Sequence, residues 1–242
     1  MNIIKPFIRK RELEESLRDF PFVKSNVDQD AVNPNTKPVP DIQPAADYWR
    51  IPNVSYRNNI HTVDLAKVLL DNGTATTQDQ WVEYSKLAKS AGSFYVGDMP
   101  LYHAVFTALS KSSGQDAEEA KAFIQTQMRA KWLMTLSRIK YAPNGKDEVI
   151  NNFKMDDQYC IKTDFVGLDR FIESADSQSL EAILGTNNIQ NINQVYQSIN
   201  STNTYIWRVN TKPTKVVERV AGFDAFRGRV YLYCGGDPED SS

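Results

Sequence analysis

The sequence predicts an α+β fold: a helical first half packed on a mostly antiparallel sheet of about five strands, with an extended N-terminal arm. Three observations carry this reading. Helical spacing of apolar residues dominates from Val63 to Met128, and strand alternation takes over from Leu133. The turns between the strand-like runs are too short for regular βαβ crossovers, which favours antiparallel pairing. From Ser25 to Ala46 neither period is present, and Pro34, Pro38, Pro40 and Pro44 sit among Asn, Asp, Gln and Thr. Each X-Pro step pushes its preceding residue towards extended backbone, so this segment reads as an arm.

Before the arm, Arg9 to Phe20 reads as a short charged helix carrying Leu13, Leu17 and Phe20, bounded by Pro6 and Pro21. After it, Tyr48-Trp49-Arg50-Ile51-Pro52 is the first dense apolar cluster, expected to anchor the arm to the body. A helix is expected from about Val63 to Asp71, with Thr62 as N-cap and Asn72-Gly73 as its stop. The next has a capping box at Thr77 and Gln80 and a face of Trp81, Tyr84, Leu87 and Ala88. Asp98 or Met99 caps a third, with Pro100 in the first turn and Leu101, Val105 and Leu109 on one face. Asp116 and Glu119 form an acidic capping pair for a fourth, which bears Ala120, Phe123, Ile124 and Met128.

Strands are expected at Leu133–Tyr141, at Glu148–Phe153 after the Pro143-Asn144-Gly145 turn, and at Tyr159–Phe165, where apolar and polar residues alternate. Short helices follow at Leu168–Glu173, Ser179–Leu184 and Ile189–Ile199. Thr204–Asn210 reads as a strand, Val216–Phe226 as a helix, and Arg229–Cys234 as a last strand. The chain thus divides into a helix and arm (1–46), one α+β domain (47–234) and an acidic tail (235–242) with no reason to fold.

Composition bounds the function. With 41% hydrophobic and 24% charged residues, the 242-residue chain can build a core without disulfides or metal. A net charge of −2 gives no global field for nucleic acid or an anionic membrane. No apolar run reaches spanning length, and the N-terminal charges lie on the wrong side for a signal peptide, so a cytoplasmic location without membrane contact is expected. Cys160 and Cys234 fall in strand-like runs and are expected to be buried free thiols.

Catalytic chemistry has little material. His61 and His103 have no second His or Cys at ligand spacing, so neither a metal nor a cofactor is expected. His103, on a helix beside Tyr102, could serve as a general base only if it opened into a pocket. Gly-x-Ser-x-Gly elbows and phosphate-cradling Gly-rich loops are absent, and Asp156-Asp157 and Glu118-Glu119 read as solvated or capping groups. The densest charge pattern is C-terminal. Arg208, Lys212, Lys215 and Arg219 interleave with Tyr205, Trp207, Phe223 and Tyr231, a pattern that suits a nucleotide or single-stranded nucleic acid. Against it, alternation predicts that many of these aromatics enter the core.

The reading that follows is a non-catalytic binding or assembly protein. Its arm would mediate self-association or contact a protein partner, because an arm without its own core orders only along a surface. Ile3, Ile4, Phe7 and Ile8 are the apolar residues that need such a surface. The alternatives are a nucleotide- or nucleic-acid-binding protein using the C-terminal segment, and an enzyme with a pocket near His103.

Overall fold

The structure, a computed structural model, describes residues 2–3, 42–70, 75–143, 145–163, 170–172, 177–208, 213–226 and 228–239. Among them, five helices and eleven strands form two sheets. The strands are β1 (Asn2–Ile3), β2 (Gln43–Pro44), β3 (Tyr48–Tyr56), β4 (Asn59–Ala66), β5 (Leu133–Tyr141), β6 (Asp147–Asn151), β7 (Tyr159–Thr163), β8 (Arg170–Phe171), β9 (Thr204–Arg208), β10 (Val217–Phe226) and β11 (Arg229–Gly236). The helices are α1 (Gln78–Ser90), α2 (Met99–Ser110), α3 (Gln115–Ala130), α4 (Ser177–Leu184) and α5 (Ile189–Asn200).

The first half is not purely helical. β3 and β4 form a hairpin where a helix from Val63 to Asp71 is expected, in a four-stranded sheet of order β1-β4-β3-β2. The pairing of Tyr56 with Asn59 leaves a two-residue loop, Arg57-Asn58, with both residues at positive φ (50° and 62°). That is the backbone a tight hairpin requires, here supplied by an Arg instead of a Gly. In β4, Val63 and Leu65 are buried while Asp64 between them is not, which is strand alternation. Pro52 lacks an N–H for the ladder, and it sits where the register slips between Ile51 and Val54, with Asn53 at φ 57°.

The larger sheet has seven strands, not about five, in the order β7-β6-β5-β10-β11-β9-β8. Every pair is antiparallel except β9 with β11. Two segments expected as helix are strand here. Val217–Phe226 is β10, a central strand with Val220 buried on one face and Ala221 and Phe223 on the other, so its alternation is erased. Arg170–Phe171, within the expected helix 168–173, is β8. β11 runs on to Gly236, two residues into the expected tail.

The α2 helix is the centre of the molecule. Asp98 is its N-cap, accepting from the Leu101 N–H at 2.9 Å, and Pro100 lies in the first turn. One side packs on β3, and the other on α4 and α5. Tyr102 and Phe106 reach Phe223 of β10 at ring distances of 6.3 and 5.3 Å, and Phe106 meets Tyr196 of α5 edge-on. α1 starts with the Thr77–Gln80 capping box, whereas α3 starts at Gly114 with no side-chain cap in place of the acidic pair. Cys234 is buried, but Cys160 on the edge strand β7 points to solvent, and both are free thiols.

Candidate functional site

Three places could bear function, and the first is the outer edge of the small sheet. Along β4, Asp64 accepts from Arg50 Nε and Nη2 at 2.9 and 3.1 Å, a two-pronged cross-strand pair that Tyr48 supports by accepting from the same guanidinium at 3.2 Å. Beneath it, Trp49, Ile51, Val54, Val63 and Leu65 join the core. This fixes β4 with one edge against β3 and the other facing away. On that second edge β1 runs parallel, with Asn2 opposite Asp64 and Ile3 opposite Leu65. Ile3 is therefore at the edge of the sheet, while Ile4, Phe7, Ile8 and the expected helix 9–20 lie outside the described residues. β2, at the end of the expected arm, pairs with Arg50 and Trp49 of β3, and Ile42 before it is buried in the core.

The second place is the C-terminal basic–aromatic segment, which splits between two faces. Phe223 enters the core, as do Val230, Leu232 and Cys234 on β11. Tyr231 and Tyr233 alternate with these, so they lie on the sheet face away from α2 and α5. Tyr205 of β9 meets Tyr231 edge-on at 5.4 Å, and the Arg229 guanidinium lies 5.1 Å from the Tyr205 ring. Trp132 lies across the same face. A Cβ on Gly236 would come within 2.7 Å of its ring, and one on Gly222 within 2.8 Å, so both positions require glycine for close approach. Its indole also meets Tyr233 edge-on at 5.4 Å. Tyr231 is only 9% exposed.

Trp207 and Arg208 lie in β9 opposite Tyr233 and Cys234. Arg219 is half-buried, donating to the Glu218 carbonyl at 2.8 Å and pairing with Asp237 at 3.6 Å. Lys215 is exposed, and Lys212 lies outside the described residues. Arg208 and Arg219 flank the C-terminal end of β11 on opposite sides, since their neighbours in the ladder are Cys234 and, through Val220, Gly236.

The third place is the N-terminal half of α2, which holds two buried titratable groups. His103 is 3% exposed, with Nδ1 3.1 Å from the Tyr196 hydroxyl and Nε2 without a partner. Burial lowers its pKa to about 4, so it is neutral at pH 7 and offers no atom to a substrate in solution. Asp98 is fully buried. Its Oδ2 accepts from the Tyr56 hydroxyl at 2.8 Å while Oδ1 caps α2. Burial raises its pKa to about 6, against the lowering effect of the Tyr56, Leu101 and Tyr159 hydrogen bonds. Around it Asn152, at φ 50°, donates to the Tyr56 hydroxyl at 3.3 Å and to Asp157 at 3.1 Å. Asp157 also takes Lys89 at 2.8 Å and Arg57 at 3.4 Å. Arg57 lies 4.5 Å from the Tyr159 ring. Five segments converge here, and Arg57, Asn58, Asn152 and Lys154 all hold left-handed backbone.

The sequence offers Asp98 only as one of two candidates, with Met99, for a helix cap. Its partners Tyr56 and Tyr159 lie 42 and 61 residues away, a separation that local spacing cannot reveal. Among the described residues no cluster of His, Cys, Asp and Glu could hold a metal ion, and no helix is long and apolar enough to cross a membrane. Comparison with protein families, with curated proteins and with solved structures found no match for this chain.

Proposed function

We propose that the chain is a non-catalytic assembly protein that self-associates through its N-terminal arm, with the leading strand of one copy adding to the β4 edge of another. The observation that supports this reading is the parallel pairing of Asn2 and Ile3 on the outer edge of β4, far in sequence from the next strand. Residues 4–41 connect β1 to Ile42. That many residues can reach either the chain's own sheet or a neighbour's. A two-residue strand is held mostly by the effective concentration its tether provides, of millimolar order for short flexible linkers and lower for long ones. The same edge on a second copy offers identical bonding, and exchange of identical elements is a low-cost route to oligomers. Ile4, Phe7 and Ile8 next to the strand give the exchange an apolar reason.

Sedimentation of the full chain and of a chain starting at Ile42 tests the proposal. The full chain is expected to shift from monomer to higher mass between micromolar and high-micromolar concentration, and the shortened chain to stay monomeric. Equal masses at every concentration would remove the proposal.

A second reading has one observation in its favour: Tyr205, Tyr231 and Tyr233 share the sheet face away from α2 and α5, with Arg229 against Tyr205. Aromatic rings with a cation suit single-stranded nucleic acid or a nucleotide. Retention of a single-stranded oligonucleotide by the chain starting at Ile42, falling steeply with salt, would favour it. An enzyme using His103 has the least support, given that side chain's burial.

A further inference from the structure

We infer that the outer edge of β7 is a second interface between copies of this chain, with β7 pairing antiparallel to β7 of another copy about a two-fold axis at Ile161. Five residues a side are fewer than the roughly 20–30 a side of a stable interface. The inference therefore rests on the assembly reading, and β7 joins copies that arm exchange has already brought together.

Among the described residues the two sheets end in four edge strands. β1, β2 and β8 have two residues each, and β2 also carries Pro44. β7 is the exception. It has five residues and no proline, and its ladder with β6 keeps register from Asp147 opposite Thr163 to Asn151 opposite Tyr159. Edges are normally blunted by shortness, proline, a bulge or an inward-pointing charge. Here the core side of the strand is Tyr159, Ile161 and Thr163, all uncharged, and Lys162 is exposed with Cys160. Among the described residues the backbone of β7 bonds to β6 and to no other segment.

A second copy is the strand this edge fits, because β7 is its own complement. In the antiparallel register about Ile161, Tyr159 stands opposite Thr163, Cys160 opposite Lys162, and Ile161 opposite Ile161. Each pair lies on one face of the joined sheet, and no like charges meet. Slipping by two residues leaves only 159–161 or 161–163 overlapping, and the latter sets Lys162 against Lys162. The same surface serves both copies, so the contact closes on itself.

Two measurements on the full chain test this. In the first, natural chains carrying Cys160 are mixed with Cys160→Ser/Lys162→Cys chains and oxidised with diamide, which takes up the two thiol hydrogens. Cys234 is buried and does not compete. Opposed residues lie about 4.5–5.5 Å apart, within disulfide reach, and diagonal ones about 7–8 Å apart, beyond it. Disulfide dimers with one chain of each kind are expected about ten-fold above those of either chain alone. In the second, Cys160→Glu sets a carboxylate against each opposed Lys162, and Cys160→Lys an ammonium. Sedimentation is expected to place the midpoint of assembly at about ten-fold lower concentration for the first variant than for the second. A chain that assembles without an excess of mixed disulfides, or with equal midpoints for the two charges, would overturn this inference and leave arm exchange standing. A chain that stays monomeric at every concentration would remove the assembly reading and this inference with it.

Discussion

At the scale of the residue, Asp98, the N-cap of α2, and His103 within it sit five positions apart and are perturbed in opposite senses. The Asp98 carboxyl titrates higher in the folded chain, near 6, because burial disfavours its charge. The stability it contributes is full below the unfolded value near 4 and is lost as pH rises through 6. The His103 imidazole titrates lower, near 4, again because of burial. Its contribution is present above the unfolded value near 6.5 and is lost as pH falls through 4. Between pH 4 and 6 the two therefore oppose each other. Substituting one exposes the other: Asp98→Asn should become more stable as pH rises from 4.5 to 6.5, and His103→Gln less stable. Urea midpoints at the two pH values check the signs, and the same sign in both variants would refute this linkage. Neither perturbation was legible in the sequence, because both depend on burial by distant segments. A helix cap at Asp98 or Met99 was legible, since it needs only Pro100 and the apolar run beyond it, and the structure places it at Asp98.

Among the elements, β5 shows how an irregular strand is made stable. Its ladder with β10 jumps from Ser137 to Met134 across a single step of β10, leaving Thr135 and Leu136 as extra residues. Their backbone groups find partners elsewhere. Gln78 of α1, fully buried, donates to the Thr135 and Ser137 carbonyls at 2.8 and 3.0 Å and accepts from Arg138 Nε at 2.8 Å. The Leu136 N–H donates to the Gly97 carbonyl, and the Leu136 carbonyl accepts from Phe153. Gln78→Ala would leave two carbonyls and a guanidinium N–H buried without partners. The expected loss is roughly 2–4 kcal/mol, read as a lower urea midpoint with an unchanged slope. A loss below about 0.5 kcal/mol would show that water or a repacked side chain replaces Gln78.

The elements also show where sequence pattern is informative. α1 and α2 carry their own start signals in Thr77 and Asp98, and their apolar stripes match the buried faces except at Leu87 of α1, which is exposed. β5, β6, β7 and β11 lie where alternation and the 143–145 turn put them. The misread segments have common causes. β4 was hidden because its hairpin turns on Arg57-Asn58, which carries no glycine signal. β10 was hidden because both of its faces are covered, so its apolar residues lost the period of two.

For the whole molecule, the two sheets and the helices around α2 make one continuous core. The small sheet has an edge that already accepts a strand from the far end of the same chain. The sequence predicts an arm from its prolines and polar residues, which lie mostly outside the described residues, but not where Asn2 and Ile3 dock, since a strand of two residues has no pattern of its own. Whether that strand serves its own copy or a neighbour is the central question of the account. Parallel neighbours lie about 4.8 Å apart, a spacing a disulfide can bridge. In a Cys160→Ser background, which removes the exposed thiol, chains bearing Asn2→Cys can be mixed with chains bearing Asp64→Cys and gently oxidised. The account predicts disulfide-linked dimers containing one chain of each kind. The absence of such dimers, together with a fully intrachain disulfide in the doubly substituted chain at every concentration, would contradict it.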